Sequence, residues 1–222
     1  MIALVVEDDG RPQYLYPVMK ALEVTLSLAD LLPILINDSG NPEYARRLIR
    51  DFPDWEQVHH DKREGLRGVQ ISAWHTALMH KDVDYVLHWE SDFMPLEEKV
   101  PVDEMRFLLE ARPHLAQVAL KRQPLARYPG EVENGGFMQL YRDQYFQRPG
   151  YVEQQMVFTM NPCLVPRRIV EMFVNDPTEG NPESYFTPHL VDEGYWFAFL
   201  GRIEDPPRVF HIGIDRGPGW FI

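Results

Sequence analysis

Hydrophobic positions in this chain switch between two spacings. Residues 2–6 (Ile-Ala-Leu-Val-Val) form an unbroken apolar run, the pattern of a strand buried on both faces. The polar stretch Glu7-Asp8-Asp9-Gly10-Arg11-Pro12 follows, and then Leu15, Val18, Met19, Leu22 and Leu26 recur at helical spacing. Residues 32–36 predict a second strand, with Pro33 tolerated near its start. The turn-forming cluster Asn37-Asp38-Ser39-Gly40 ends it. Asn41 and Pro42 are suited to the N-cap and first position of a helix whose apolar side is Tyr44, Leu48, Ile49 and Phe52. Residues 55–59 predict a short third strand. Gly65-Leu66-Arg67-Gly68 reads as a glycine-bearing loop before a helix that buries Ile71, Trp74, Ala77 and Leu78.

The next apolar strand covers residues 85–89. Asp103 is placed to cap a helix carrying Met105, Leu108 and Leu109, and residues 117–120 predict another strand. Strand and helix therefore alternate through the first half, which predicts an α/β fold with a central, mostly parallel sheet flanked by helices. The second half is less regular. Residues 121–151 show no clean period and carry Pro124, Pro129, Gly130, Gly135, Gly136, Pro149 and Gly150, as a long functional loop would. Residues 156–165 predict one or two strands interrupted at Asn161-Pro162, and residues 166–173 a short helix. Thr187-Pro188 reads as a helix start, Gly194 as its end, and residues 195–200 and 209–212 as strands. No repeat or linker divides the chain, so residues 1–222 are read as one domain with a regular half (1–100) and an irregular half (101–222).

Candidate chemistry concentrates at residues 85–95, Tyr-Val-Leu-His-Trp-Glu-Ser-Asp-Phe-Met-Pro. If the strand runs on to Met94 and stops at Pro95, Glu90 and Asp92 point the same way. Two such carboxylates suit a hard divalent cation; the alternative is a pair of solvated acids at a strand edge. Ligands of α/β sheets bind beyond the carboxyl ends of the strands. The loop after Val6, the cluster at Asp38 and the Glu90/Asp92 pair all fall at such ends, which favours the metal reading.

Charge and composition narrow the class. The net charge of the 222 residues is −12, which excludes a nonspecific phosphate-backbone binder but not a local basic pocket. The single cysteine, Cys163, forms no intrachain disulfide and fits a reducing compartment. The short apolar N-terminus turns acidic without a basic region, and no apolar run reaches the roughly 20 residues of a membrane span. A cytoplasmic protein is expected. The 19 prolines and 12% aromatic content predict shaped loops, with rings available for stacking or packing.

In their order, these motifs resemble the GT-A-fold glycosyltransferases, in particular the compact inverting, family-2-like enzymes. The resemblance covers nearly the whole chain, and each motif is weak alone. It rests on the strand and loop through Tyr14, on Ile36-Asn37-Asp38-Ser39-Gly40, on Gly65-Leu66-Arg67-Gly68, and on Glu90-Ser91-Asp92 at the position of the family's Asp-x-Asp. Glu183, Gly194, the strand after it and His211 stand where the family often places a base, a helix end, a strand and a metal-binding histidine. Two departures stand out. Glu90 replaces an aspartate, and Glu183 is followed by Ser184 rather than by a second acid.

The resemblance implies a metal-dependent transfer of a sugar from a nucleoside-diphosphate sugar, UDP-linked, to an unidentified acceptor hydroxyl, with inversion. It implies Mn2+ or Mg2+ held by Asp92 and His211, with Glu90 on the metal through water or on the ribose. His211 tilts the choice toward Mn2+; its alternative is a hydrogen-bonded histidine at a strand end. Asp38 inherits nucleobase contact, against the alternative of a local turn residue. Arg11 and Arg67, and Arg216 late in the chain, are placed to meet the diphosphate or base. Glu183 inherits the role of base, with Asp192 and Glu193 as secondary candidates. Residues 1–100 then bind the nucleotide and residues 101–222 the acceptor. Trp89, Tyr195 and Trp196 read as core rather than sugar platforms, and His59-His60-Asp61 as a loop cluster. A nucleotidyltransferase and a noncatalytic sugar-binding module remain as alternatives, although an acidic first loop suits a phosphate cradle poorly. Small size and the lack of an anchor suit a bacterial or phage enzyme.

Overall fold

The computed structural model describes residues 1–123, 145–176 and 180–213. Its main sheet has nine strands among the described residues, in the order β3-β2-β1-β4-β9-β6-β10-β8-β7. The strands are β1 (Ile2–Asp8), β2 (Leu31–Asn37), β3 (Glu56–His59), β4 (Tyr85–Glu90), β6 (Leu115–Ala119), β7 (Phe146–Arg148), β8 (Tyr151–Gln154), β9 (Cys163–Pro166) and β10 (Trp196–Leu200). A separate two-stranded ribbon pairs β5 (Phe93–Pro95) with β11 (Val209–His211). β1 pairs in parallel with β2 and β4, so the three strands expected to be neighbours are neighbours. Only β9 and β8 run against the common direction of the main sheet.

Both faces of the sheet are covered, which is why β1 and β4 are apolar without alternation. Leu4, Val6, Leu35, Leu87 and Trp89 pack toward Leu15, Met19 and Leu22 of α1 (Pro12–Thr25), Leu48 of α2 (Pro42–Asp51) and Met105 and Leu109 of α4 (Val102–Ala111). Ala3, Val5, Ile34, Ile36 and Val86 pack toward Ala73 and Trp74 of α3 (Gly65–Met79), Ile169 and Phe173 of α5 (Arg167–Asn175), and Phe186 and Leu190 of α6 (Pro182–Asp192). Each fully buried Val, Leu or Ile in these layers contributes roughly 1.5–3 kcal/mol. Among the described residues no helix is long and apolar enough to cross a membrane.

Asn41 caps α2 as expected, its Oδ1 accepting from the amides of Glu43 and Tyr44 at 3.0 and 3.2 Å. Other boundaries differ from the sequence reading. β4 ends at Glu90, not Met94, because Ser91 and Asp92 form a turn into β5. Pro95 is accommodated in β5, whose strand partner among the described residues is β11. Gly65 to Gly68 form the first turn of α3 rather than a loop before it. Asp103 lies inside the first turn of α4, and Pro101 holds the cap position. The helix expected from Thr187-Pro188 begins earlier, at Pro182: Asn181 is its cap, accepting from Glu183 N–H at 2.9 Å, and Pro188 lies within it. Within the long irregular stretch, β7 and β8 form a hairpin across Pro149-Gly150. Residues 156–162 form no strand, and β9 begins only at Cys163.

Candidate active site

Three strand ends meet at the carboxyl edge of the sheet. Asp38 N–H donates to Asp8 O at 2.7 Å and Ser91 N–H to Glu7 O at 2.8 Å, which ties the turns after β2 and β4 to the end of β1. Gly10 brings the loop after β1 against the turn after β2. It has φ 88°, and a Cβ there would lie 2.5 Å from Ser39 Cβ, so only glycine fits. The resulting small pocket is lined by Glu7, Asp8, Asp9, Arg11, Asp38, Leu66, Val69, Glu90 and Ser91.

Strand alternation sorts the acids. Glu7 continues the α3 side of β1 and Asp8 the α1 side. Glu7 stands opposite Glu90 in register. Burial, then the charges of Glu90 and Asp38, hold the Glu7 carboxyl well above the usual carboxylate range. Burial, then the charge of Asp9, pushes Asp8 up to about 6, opposed by the nearby Tyr44 and Ser91 hydroxyls and by the Gly10 amide, which donates to Asp8 Oδ2 at 3.2 Å. Beneath Glu7, the wholly buried His88 lies 3.5 Å from Glu7 Oε1, and burial lowers its pKa to about 3. Burial thus disfavours the charged form of both members of this pair.

Asp92 is the centre of a second cluster. It is fully buried in the turn between β4 and β5. Its Oδ2 accepts from Arg11 Nη2 at 2.9 Å and lies 3.3 Å from His211 Nε2. Arg11 Nε also donates to Asp9 Oδ1 at 2.7 Å, and its guanidinium lies over the Tyr14 ring at 4.7 Å. Burial opposes the charge on Arg11, but Asp9 and Asp92 outweigh it and hold the guanidinium firmly protonated. β11 delivers His211: it pairs opposite Phe93, and Ile212 N–H donates to Asp92 O at 2.8 Å. The backbone at Gly213 closes over the carboxylate, where a Cβ would lie 2.1 Å from Asp92 Oδ2.

Asp92 Oδ2 and His211 Nε2 are close enough for one small ion to take both as ligands. A carboxylate oxygen with an imidazole nitrogen suits Mn2+, and Mg2+ less well. Among the described residues no group of three or more His, Cys, Asp or Glu forms a closed metal cage. Ions of this kind are commonly held by one or two protein groups together with substrate phosphates and water, so the donor set fits.

The structure brings Asp38, Arg11 and Glu90 to one pocket, and Arg11, Asp92 and His211 to one carboxylate. Asp38 also has an internal task. Its Oδ1 lies 2.7 Å from His60 Nδ1 and accepts from Glu64 N–H at 2.8 Å, and its Oδ2 accepts from Gly65 N–H at 3.0 Å. Arg67 turns away from the pocket: its Nη2 donates to Asp176 O at 2.6 Å, and its guanidinium lies 5.7 Å from the Tyr185 ring. Glu183 is half-buried in the first turn of α6, its Oε1 accepting from Met160 N–H at 2.7 Å and Thr159 Oγ1 at 3.2 Å. Those residues lead into β9 beside His88, at the same sheet edge but outside the pocket lining. Arg216 lies outside the described residues. Trp89 is core, its Nε1 donating to Phe93 O at 2.7 Å. The sequence places Glu7, Asp8 and Asp9 in an acidic loop at the ligand edge, whereas β1 runs on through Asp8 and its alternation sends Glu7 and Asp8 to opposite faces.

No protein-family model matches this chain, and no curated protein matches it. Solved structures do. One is the mannosyltransferase PcManGT from Pyrobaculum calidifontis in complex with GDP-Man and Mn2+, with 16% identity and a TM-score of 0.62 over 99% of this chain and 58% of that one. Another is GalNAc-T7 with UDP, GalNAc and Mn2+, with 12% identity and a TM-score of 0.70 over 99% of this chain and 45% of that one. The chain thus spans about half the length of these proteins. The likeness at these identities is one of fold, and the fold is the GT-A type expected from the motif order.

Proposed function

We propose that this chain is a metal-dependent glycosyltransferase that moves a sugar from a nucleoside-diphosphate sugar, UDP-linked, to an acceptor hydroxyl with inversion. The observation that carries the reading is the meeting of Asp92 with His211 at the carboxyl edge of this sheet, next to a pocket holding Glu90, Arg11 and Asp38. The two similar structures support it, since both were solved with Mn2+ and a nucleotide or nucleotide sugar.

In this reading residues 1–100 bind the donor and residues 101–222 the acceptor. Asp92 and His211 would hold Mn2+ or Mg2+, with Glu90 serving the ion or the ribose. When bound, the ion supplies Lewis-acid stabilisation of the charge on the leaving diphosphate. The acidic lining of the pocket disfavours a diphosphate, so binding it requires compensating cations. Arg11 lines the pocket, and its Nη2 would turn from Asp92 toward the diphosphate. Arg67 serves there only if it leaves the Asp176 carbonyl. Asp38 accepts a nucleobase N–H while keeping its bonds to His60, Glu64 and Gly65. Glu183 takes the proton from the acceptor hydroxyl as the new glycosidic bond forms. The buried Cys163 suits a cytoplasmic setting.

The test is a panel of UDP-, GDP- and dTDP-sugars with Mn2+, Mg2+ or EDTA, reading thermal shift and nucleoside diphosphate release with and without candidate acceptors. A metal-dependent shift and release with a UDP-sugar is expected. A response to GDP-sugars alone would replace the donor and leave the reaction class standing. No metal-dependent response to any donor would overturn the reading.

A further inference from the structure

We infer that Gln123 is a positioning residue that fixes His211 for metal binding; this rests on the reading of Asp92 and His211 as the metal ligands. β11 is only three residues long, and its strand partner is the equally short β5. A ribbon of this size is marginal by itself. His211 is paired opposite Phe93, yet its own N–H and C=O turn away from β5. The side-chain amide of Gln123 meets both: His211 N–H donates to Gln123 Oε1 at 2.8 Å, and Gln123 Nε2 donates to His211 O at 3.0 Å. This double contact fixes the orientation of the amide, because a flipped group would set donor against donor. Gln123 is 7% exposed, so both bonds are shielded from water.

The two residues before Gln123 hold the same returning segment. Lys121 Nζ donates to the carbonyls of Arg202 and Asp205, and Lys121 O accepts from Arg208 and Val209 amides at 2.8 and 3.1 Å. Arg122 forms a parallel bridge with Val209. Gln123 then acts in place of a third strand at the one residue whose ring must be aimed. Phe93 completes the constraint by stacking on the imidazole, with centroids 4.5 Å apart and planes 4° from parallel. With backbone and ring both fixed, Nε2 faces Asp92 Oδ2. Groups behind metal ligands typically control affinity by 10–100-fold.

The experiment measures Mn2+ affinity by electron paramagnetic resonance of the free ion, without donor or turnover, for the full chain and for Gln123→Met, His211→Ala and the double variant. Thermal melts without metal check the fold. His211→Ala should weaken Mn2+ binding by tenfold or more, and Gln123→Met by about tenfold. In the His211→Ala background Gln123→Met should have no further effect. If Gln123→Met leaves affinity unchanged, or weakens it equally in both backgrounds, Gln123 does not act through His211 and the inference fails while the metal reading stands. If His211→Ala binds Mn2+ like the parent, the metal reading fails and the inference with it. Should Gln123→Met not fold, Gln123→Glu is measured in the same two backgrounds against the same criteria.

Discussion

Arg11 and Asp92 share one short contact, Nη2 to Oδ2 at 2.9 Å, on the carboxylate oxygen that lies 3.3 Å from His211 Nε2. A guanidinium therefore occupies part of the position where a metal would place its charge. Asp92→Asn keeps the shape and removes the charge. It should lower turnover about 10³-fold, a loss of several kcal/mol of transition-state stabilisation, with a melting temperature near the parent's. Turnover like the parent's would remove Asp92 from the metal site.

Gly213 tests the same carboxylate by sterics. A Cβ there would meet Asp92 Oδ2 at 2.1 Å, and the carboxylate, itself in the buried turn, must move. Gly213→Ala should cost about 1–3 kcal/mol of stability and weaken Mn2+ binding. Unchanged Mn2+ affinity together with an unchanged melt would show that the backbone yields instead.

Asp38 serves as an anchor as well as a pocket wall. Asp38→Ala leaves the Glu64 and Gly65 amides and His60 without their partner, which should destabilise the fold by about 1–3 kcal/mol. It should also raise the UDP dissociation constant roughly tenfold or more. Lost stability with unchanged UDP affinity would leave Asp38 only its role in holding the start of α3.

Glu183→Gln retains an oxygen for Met160 N–H and Thr159 Oγ1 and removes basicity. Turnover should fall about 10²–10⁴-fold while donor affinity holds. If turnover persists while Asp192→Asn or Glu193→Gln abolishes it, Glu183 only anchors the residues before β9 and the base lies at the far end of α6.

His88 gives a pH signature. Its pKa is depressed to about 3 in the folded protein from an ordinary 6.5, so between these values the unfolded chain binds the extra proton. Its contribution to stability is thus full above pH 6.5 and is lost as pH falls toward 3, by up to about 1.4 kcal/mol per pH unit. Asp8, raised to about 6, and Glu7, raised well above its ordinary value, have the opposite slope above their ordinary values, so the whole-protein profile mixes these contributions. Chemical denaturation of the parent and of His88→Leu across this range should isolate the histidine. Equal slopes would show that His88 is charged in the folded state.

The sequence by itself determined the elements whose burial is complete or whose caps are local. Residues 2–6 had to be a strand covered on both faces, because a continuous apolar run leaves no side for water, and residues 32–36 and 85–89 follow nearly the same pattern. Asn41-Pro42 marked the start of α2, since a cap bond spans only two or three residues. The motif order carried the fold type and the choice of Asp38, Glu90, Asp92 and His211. Tertiary structure decided what depends on residues far apart. Asp92 joins Arg11 and His211 across 81 and 119 positions, and it does so from a turn rather than from the alternating strand that the spacing suggested. The helix at Pro182 starts early because Asn181 caps it while Glu183, its second residue, grips the Met160 amide, a partner no local pattern reveals. Gln123 gave no sequence signal, since a glutamine in a proline-rich stretch reads as solvated until its two bonds to the backbone of His211 are seen. Local sequence fixes which segments bury and where helices begin; the convergence of charges at the carboxyl edge arises only when the sheet orders its strands.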